Sequence, residues 1–176
     1  PIPIKSDAYK FFGKGSIAGI PVPVIILIIV FLLAHYILTQ TSYGRSVYAV
    51  GGNREAARLS GIRVKTSEFL VYTLNGLMCG MAGLILTARL GSAQSTSGTG
   101  IEMDAIAAVI LGGTSLSGGV GFVLPTVVSA KIKGVIDNIM THMNVNPNAT
   151  NIVKGAVILI AVLVDKKVKD LSAKAE

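Results

Sequence analysis

Acids, bases and potential metal ligands are sparse in this chain, and their spacing limits the chemistry open to it. His35 and His142 stand far apart with no neighbouring ligand pattern, and Cys79 is the one cysteine, which removes both an intrachain disulfide and a cysteine metal cluster. Cys79 lies in an apolar run and reads as a small packed or lipid-facing residue. No carboxylate pair, nucleophile with base, or metal-ligand set has the spacing a reaction needs. The chain is therefore expected to be no enzyme, with no catalytic residue, no metal and no cofactor of its own. The glycine-rich run Gly112-Gly-Thr-Ser-Leu-Ser-Gly-Gly119 invites a phosphate-loop reading, but it lacks the G-x-x-x-x-G-K-[ST] order and no lysine follows to reach a phosphate. Lys133 and Asp137 lie four apart, a spacing that pairs them on one helix face. With no second acid nearby in sequence, pairing is preferred to an ion relay.

Composition says what kind of scaffold holds these residues. The 176 residues are 51% hydrophobic and 14% charged, with a mean hydropathy of +0.66. A globular chain carries about a quarter charged residues, so much of this surface does not face water. The net charge of +7 does not signal nucleic acid, because the basic residues form no patch interleaved with aromatics. They gather at Arg45, Arg54, Arg58, Arg63 and Lys65, and again at Lys166, Lys167, Lys169 and Lys174. That is the distribution of cytoplasmic segments flanking membrane spans.

The polar interruption Thr41–Ile62 is the segment the apolar remainder must hold. Its right half reads as a short capped helix, with Asn53 as N-cap, Arg-Glu-Ala-Ala-Arg-Leu-Ser between, and Gly61 where a helix ends in the left-handed region. Glu55 near the positive end and Arg58 nearer the negative end suit the helix dipole, and Ile62 is placed to close back on Ala57. Gly51 and Gly52 permit a sharp turn before it. Barely two turns of helix are not stable alone, so this one must be docked.

These residues resemble the cytoplasmic coupling motif of permease subunits in bacterial ABC importers of the ribose and related-monosaccharide class. The pattern T-x-x-G-R-x-x-Y-A-x-G-G-N-x-x-A-A-x-x-S-G-I is matched by Thr41, Gly44, Arg45, Tyr48, Ala49, Gly51, Gly52, Asn53, Ala56, Ala57, Ser60, Gly61 and Ile62. The resemblance extends to about residue 165 through Ser92-Ala93-Gln94, the run from Asp104 to Gly119, and Ile158–Val164. Family subunits are roughly twice this long, so the chain resembles a C-terminal half.

Along the chain, the fold class expected is all-α and polytopic. Residues 1–20 carry no helical period and read as an outer loop; 21–40 form a first span, opened by Pro21 and Pro23; 41–66 form the coupling segment; 67–90 form a second span. Gly76 and Gly80 make a G-x-x-x-G face on it, suited to close packing, while Thr73 and Asn75 add polarity. Residues 91–103 read as loop. Asp104 caps a short helix, Ala105–Leu111, that breaks at Gly112–Gly119, and Phe122–Met140 resumes as a third long segment, so that 104–140 is a broken segment plus a span. Residues 143–150 read as a turn, 151–165 as a last span and 166–176 as a cytoplasmic tail. Backbone broken at membrane depth must be buried in protein or line water. If the broken segment crosses, the lysine-rich tail returns to the cytoplasm, which the positive-inside rule favours; five passages result.

The resemblance implies the rest. Two permease subunits would form the path in the bacterial inner membrane, two separate ATPase subunits would bind the coupling helices, and a periplasmic or lipid-anchored binding protein would deliver sugar. Glu55, Ala56, Ala57 and Arg58 would be the ATPase contact surface, with Gly44, Arg45, Gly51, Gly52, Asn53 and Gly61 shaping it. Asn75, Gln94, Ser95, Thr114 and Ser115 would offer weak hydrogen bonds to a neutral polyol in the path, and Glu102 and Asp104 would stand at the outer mouth. Two other readings remain open at this point: a permease for nucleosides, branched-chain amino acids or a signalling sugar, and a membrane scaffold without an ATPase. The alternative for the coupling stretch itself is an amphipathic turn resting at the headgroups.

Overall fold

The computed structural model describes residues 2–3 and 6–143 and, beyond them, Ile152, Gly155, Ala156, Leu159 and Leu163. The described chain is predominantly helical and divides into two compact units, Pro1–Val50 with Arg54–Thr99, and Gly51–Asn53 with Gly100–Glu176.

In the first unit two helices dominate, α2 over Val22–Gln40 and α5 over Val64–Leu90. At 1.5 Å per residue they are about 28 and 40 Å long, and both are long and apolar enough to cross about 30 Å of hydrocarbon. Pro23 is accepted in the first turn of α2, where the missing amide has no helical partner to lose. Almost none of either apolar surface is buried within the chain. The polar groups on these helices are largely met internally. Thr39 and Thr73 donate to the carbonyls of His35 and Phe69, each four residues back, at 2.6 and 2.8 Å. Thr73 is thereby used up within its own helix. His35 stacks on Phe31, with ring centroids 6.0 Å apart, and Cys79 is exposed. Gly76, Gly80 and Gly83 have no atom of the described residues within 4 Å of where a Cβ would stand, so their close-packing face is open here.

The expected outer loop at 1–20 contains regular structure. A helix, α1, spans Asp7–Lys14; it is preceded by strand β1, Ile2–Pro3, and followed by β2, Ser16–Ile17, and β3, Ile20–Pro21. β2 and β3 pair antiparallel, while β1 pairs antiparallel with β4, Ser92–Ala93, just after α5. Eight residues interrupted by Gly13 give too short a period to see in sequence; tertiary contact supplies the helix. Tyr9 Oη lies 2.6 Å from Thr87 Oγ1, and a Cβ on Gly13 would run into the backbone of Ala88 and Arg89. Ala88 is fully buried. Gly13→Ala is accordingly expected to push α1 off the end of α5 and cost about 1–3 kcal/mol, against about 1 kcal/mol for Tyr9→Phe. Thermal unfolding of the complete subunit in detergent checks the order.

The second unit contains α6, Ile101–Leu111, and α7, Val123–His142, packed on each other. The helix expected at Ala105 starts four residues earlier. Gly100, in the left-handed region at φ 88°, occupies the N-cap position, and its amide donates to Glu102 Oε2 at 3.1 Å, so Asp104 stands inside the first turn rather than at the cap. The break after Leu111 is where the sequence put it. Gly113, Gly118 and Gly119 all adopt positive φ, and an added Cβ on Gly112 would strike Thr126 of α7 at 2.6 Å. The turn closes on itself: Ser115 N donates to Val120 O at 3.0 Å, Gly118 N to Ser115 O at 3.1 Å, and Ser117 N to Ser115 Oγ at 3.2 Å. Lys133 is buried and holds two acids, Asp137 one turn on in α7 at 2.5 Å and Asp104 in α6 at 2.9 Å. The i,i+4 pair agrees with the helical spacing; the second acid is too distant in sequence for spacing to reveal it. Apart from Met143 and the five helical positions named above, the turn at 143–150, the span at 151–165 and the tail at 166–176 lie outside the described residues.

Candidate coupling surface

The polar stretch is two helices. α3, Ser42–Gly52, covers the half in which sequence alone suggested no helix, and α4, Arg54–Leu59, is the short capped one. Thr41 turns the chain from α2 into α3: its hydroxyl donates to Ile37 O at 2.6 Å and accepts from Gly44 N at 3.2 Å. Gly44 is buried, and a Cβ there would collide with the carbonyls of Ile37 and Leu38, so the T-x-x-G spacing is a steric requirement of this corner. Arg45 is exposed and donates to Ser42 Oγ at 2.9 Å. Below the corner, α2, α3 and α5 enclose an apolar groove of about 360 Å³ lined by Val30, Ile37, Tyr43, Val47, Leu74 and Met78 among others. The Tyr43 hydroxyl is buried, and burial pushes its pKa up.

α4 is held at both ends. Asn53 stands directly before it, where an N-cap belongs. At the other end Ile62 N donates to Ala57 O at 3.1 Å and Gly61 N to Arg58 O at 3.0 Å, with Gly61 at φ 83°, the paired bonds of a Schellman stop. Glu55 and Arg58 pair at 3.0 Å along the helix, both exposed. Arg54 ties α4 to α5 by a two-pronged bond to Glu68, Nε to Oε1 at 2.7 Å and Nη2 to Oε2 at 3.1 Å. This fork raises the Arg54 pKa and gives the helix an orientation that its own six residues cannot fix. Glu68 is invisible to sequence reasoning because its partner, Arg54, lies fourteen positions back in a different helix.

Ala57, expected in the partner-facing surface, is 4% exposed and lies on the inward face of α4. What faces outward is Glu55, Ala56, Arg58 and Leu59. Leu59, 82% exposed, had no expected role. A large apolar side chain beside Glu55 and Arg58 on a rigidly held helix suits a protein partner, since apolar anchors rimmed by charge are how such interfaces are built.

The other expected site residues fall in both units. Asn75 is exposed near the middle of α5, about 22 Å along the chain axis from that helix's end, whereas Gln94 and Ser95 follow it in a loop where Gln94 Nε2 donates to Thr96 Oγ1 at 2.9 Å. Thr114 and Ser115 belong to the second unit, and Ser115 is buried in holding the glycine-rich turn. No side-chain cluster joins the five within either unit. Asp104 is turned toward Lys133, and Glu102 toward Gly100.

Residues 2–162 match the family described as branched-chain amino acid transport system / permease component. The chain belongs to this permease family. Among its relatives, the ribose import permease protein RbsC of Escherichia coli (strain K12) is 51% identical over 162 residues, 92% of this chain and 50% of the relative. RbsC of Bacillus subtilis (strain 168) is 47% identical over 159 residues, 90% and 49%. The xylose transport system permease protein XylH of Escherichia coli (strain K12) is 48% identical over 151 residues, 86% and 38%. The permease chain thus spans about half the length of the curated relatives it matches or less, and no solved structure matches it. Those relatives are named as permease components of transport systems rather than enzymes.

Proposed function

We propose that this chain is the coupling part of the transmembrane permease subunit of an ATP-driven importer for ribose or a related monosaccharide. The observation that carries the reading is α4: six residues, stopped by Gly61, forked to Glu68, and presenting Glu55, Ala56, Arg58 and Leu59 outward. A separate ATPase would grip this surface and, on closing over ATP, push it. A binding protein would hand sugar to the outer side, and a second copy of the subunit would complete the path in the bacterial inner membrane. Asn75, Gln94 and Ser95 are the open polar side chains a polyol would meet on its way. Five passages fit this arrangement, because a crossing by 101–119 returns the lysine-rich tail to the cytoplasmic side, as the positive-inside rule favours. The ribose and xylose names of the relatives support the monosaccharide class.

The family description favours one other solute, branched-chain amino acids. Uptake into vesicles carrying the complete subunit, its ATPase and its binding protein separates the two. Labelled ribose or xylose entering on ATP addition, unaffected by excess leucine, is the expected result; leucine uptake without sugar uptake would replace the reading.

A further inference from the structure

Within the second unit, Gly51 and Gly52 touch the glycine-rich break through bare backbone. Gly51–Asn53 cluster with the second unit, apart from the α3 and α4 residues on either side. The reason is a four-glycine junction. A Cβ on Gly51 would stand 2.9 Å from Gly119 N, one on Gly118 would drive into Gly51 O, and one on Gly119 would stand 2.8 Å from Gly52 Cα. No side chain separates the two segments, so nothing at the junction can change rotamer to absorb a displacement. From the junction the connection inward is stiff. Gly118 and Gly119 sit on the hydrogen-bonded turn closed by Ser115 and Val120, Gly112 lies against Thr126, and Lys133 holds Asp104 to Asp137. Backbone in direct contact with backbone leaves no side chain there to absorb a displacement.

We infer that Gly51, seated on Gly118 and Gly119, is the positioning residue that passes displacement of the coupling helix to the α6–α7 unit. The inference rests on the coupling role proposed above for α4. It gives the broken segment a mechanical role, in which the glycines of the break shape a flat tip that accepts a push. Gly118 and Gly119 both hold positive φ there, a conformation glycine adopts without the strain a side chain would bring.

Two neighbouring substitutions separate this from a general intolerance of side chains. Gly51 and Gly52 both lie in α3 with φ that alanine adopts, so both substitutions are favourable for the helix itself. A Cβ on Gly52, however, meets Gly119 Cα at an ordinary 3.7 Å, whereas one on Gly51 meets a backbone amide that cannot give way. In the complete subunit, assembled with its ATPase and binding protein in proteoliposomes, Gly51→Ala is expected to keep the ATPase bound and hydrolysing while sugar delivered per ATP falls about tenfold. Gly52→Ala is expected to lose clearly less than Gly51→Ala, because its Cβ meets Gly119 only at ordinary contact distance. Wild-type transport by Gly51→Ala with the ATPase bound overturns the inference and leaves the coupling role standing; loss of the ATPase from Gly51→Ala, or equal defects in both variants, overturns it too. Failure of the wild-type subunit to bind an ATPase would remove the coupling role itself. A measurement on wild type stands apart from any folding defect: amide exchange at Gly118, Gly119 and Val120 should differ between nucleotide-free and ATP-trapped transporter, and identical exchange overturns the inference.

Discussion

Arg58→Glu together with Leu59→Asp, in the complete subunit, is expected to abolish co-purification of the ATPase in detergent while leaving the subunit folded. Both side chains point away from the fold: Leu59 is 82% exposed, and the Arg58–Glu55 pair is exposed at both ends. Exposed substitutions of this kind normally change stability by less than about 0.5 kcal/mol. At an interface the same changes remove an apolar anchor and reverse a charge, each of which costs about 2 kcal/mol or more when it falls on a hot spot. Lost binding with unchanged melting therefore identifies a contact surface. Gly61→Pro should lose binding by a different route, because proline cannot adopt φ 83° and would delete the amide that donates to Arg58 O. Unchanged ATPase recovery from both variants would leave α4 as a turn resting at the headgroups.

Lys133→Met should be the most destabilising single change in the second unit. The Lys133 side chain is 11% exposed and is the cation between two aspartates that are each 30% exposed, so its removal leaves two acids facing one another in a poorly solvated place. Removing one partner of a buried ion pair costs about 3–5 kcal/mol, and the partial exposure of the acids puts this case near the lower end. Asp137→Asn should cost less, because Asp104 still balances the lysine. Combining Lys133→Met with Asp104→Asn and Asp137→Asn should restore most of the loss, since no charge is then stranded. Thermal unfolding in detergent reads all three. A triple variant as unstable as Lys133→Met alone would mean that packing, not charge, sets the cost.

The elements set by local sequence were legible. α2 and α5 follow from long apolar runs, the break from its glycines, and the Gly61 stop from the need for positive φ. The Lys133–Asp137 pair follows from helical spacing. What escaped the sequence depends on contacts between distant residues. α1 exists because it lies on α5; Glu68 orients α4 from the next helix; Asp104 turns inward to Lys133. The same reason explains the candidate surface. Motif matching marked Ala57 along with its neighbours, but only docking shows that Ala57 faces in and Leu59 faces out.

The most direct test of α4 as the coupling element is photo-crosslinking from position 59 in the assembled wild-type transporter. A benzophenone amino acid replacing Leu59 should give an adduct with the ATPase subunit, and the same probe at Ala56 a weaker one. An adduct at position 59 with lipid alone would contradict the account.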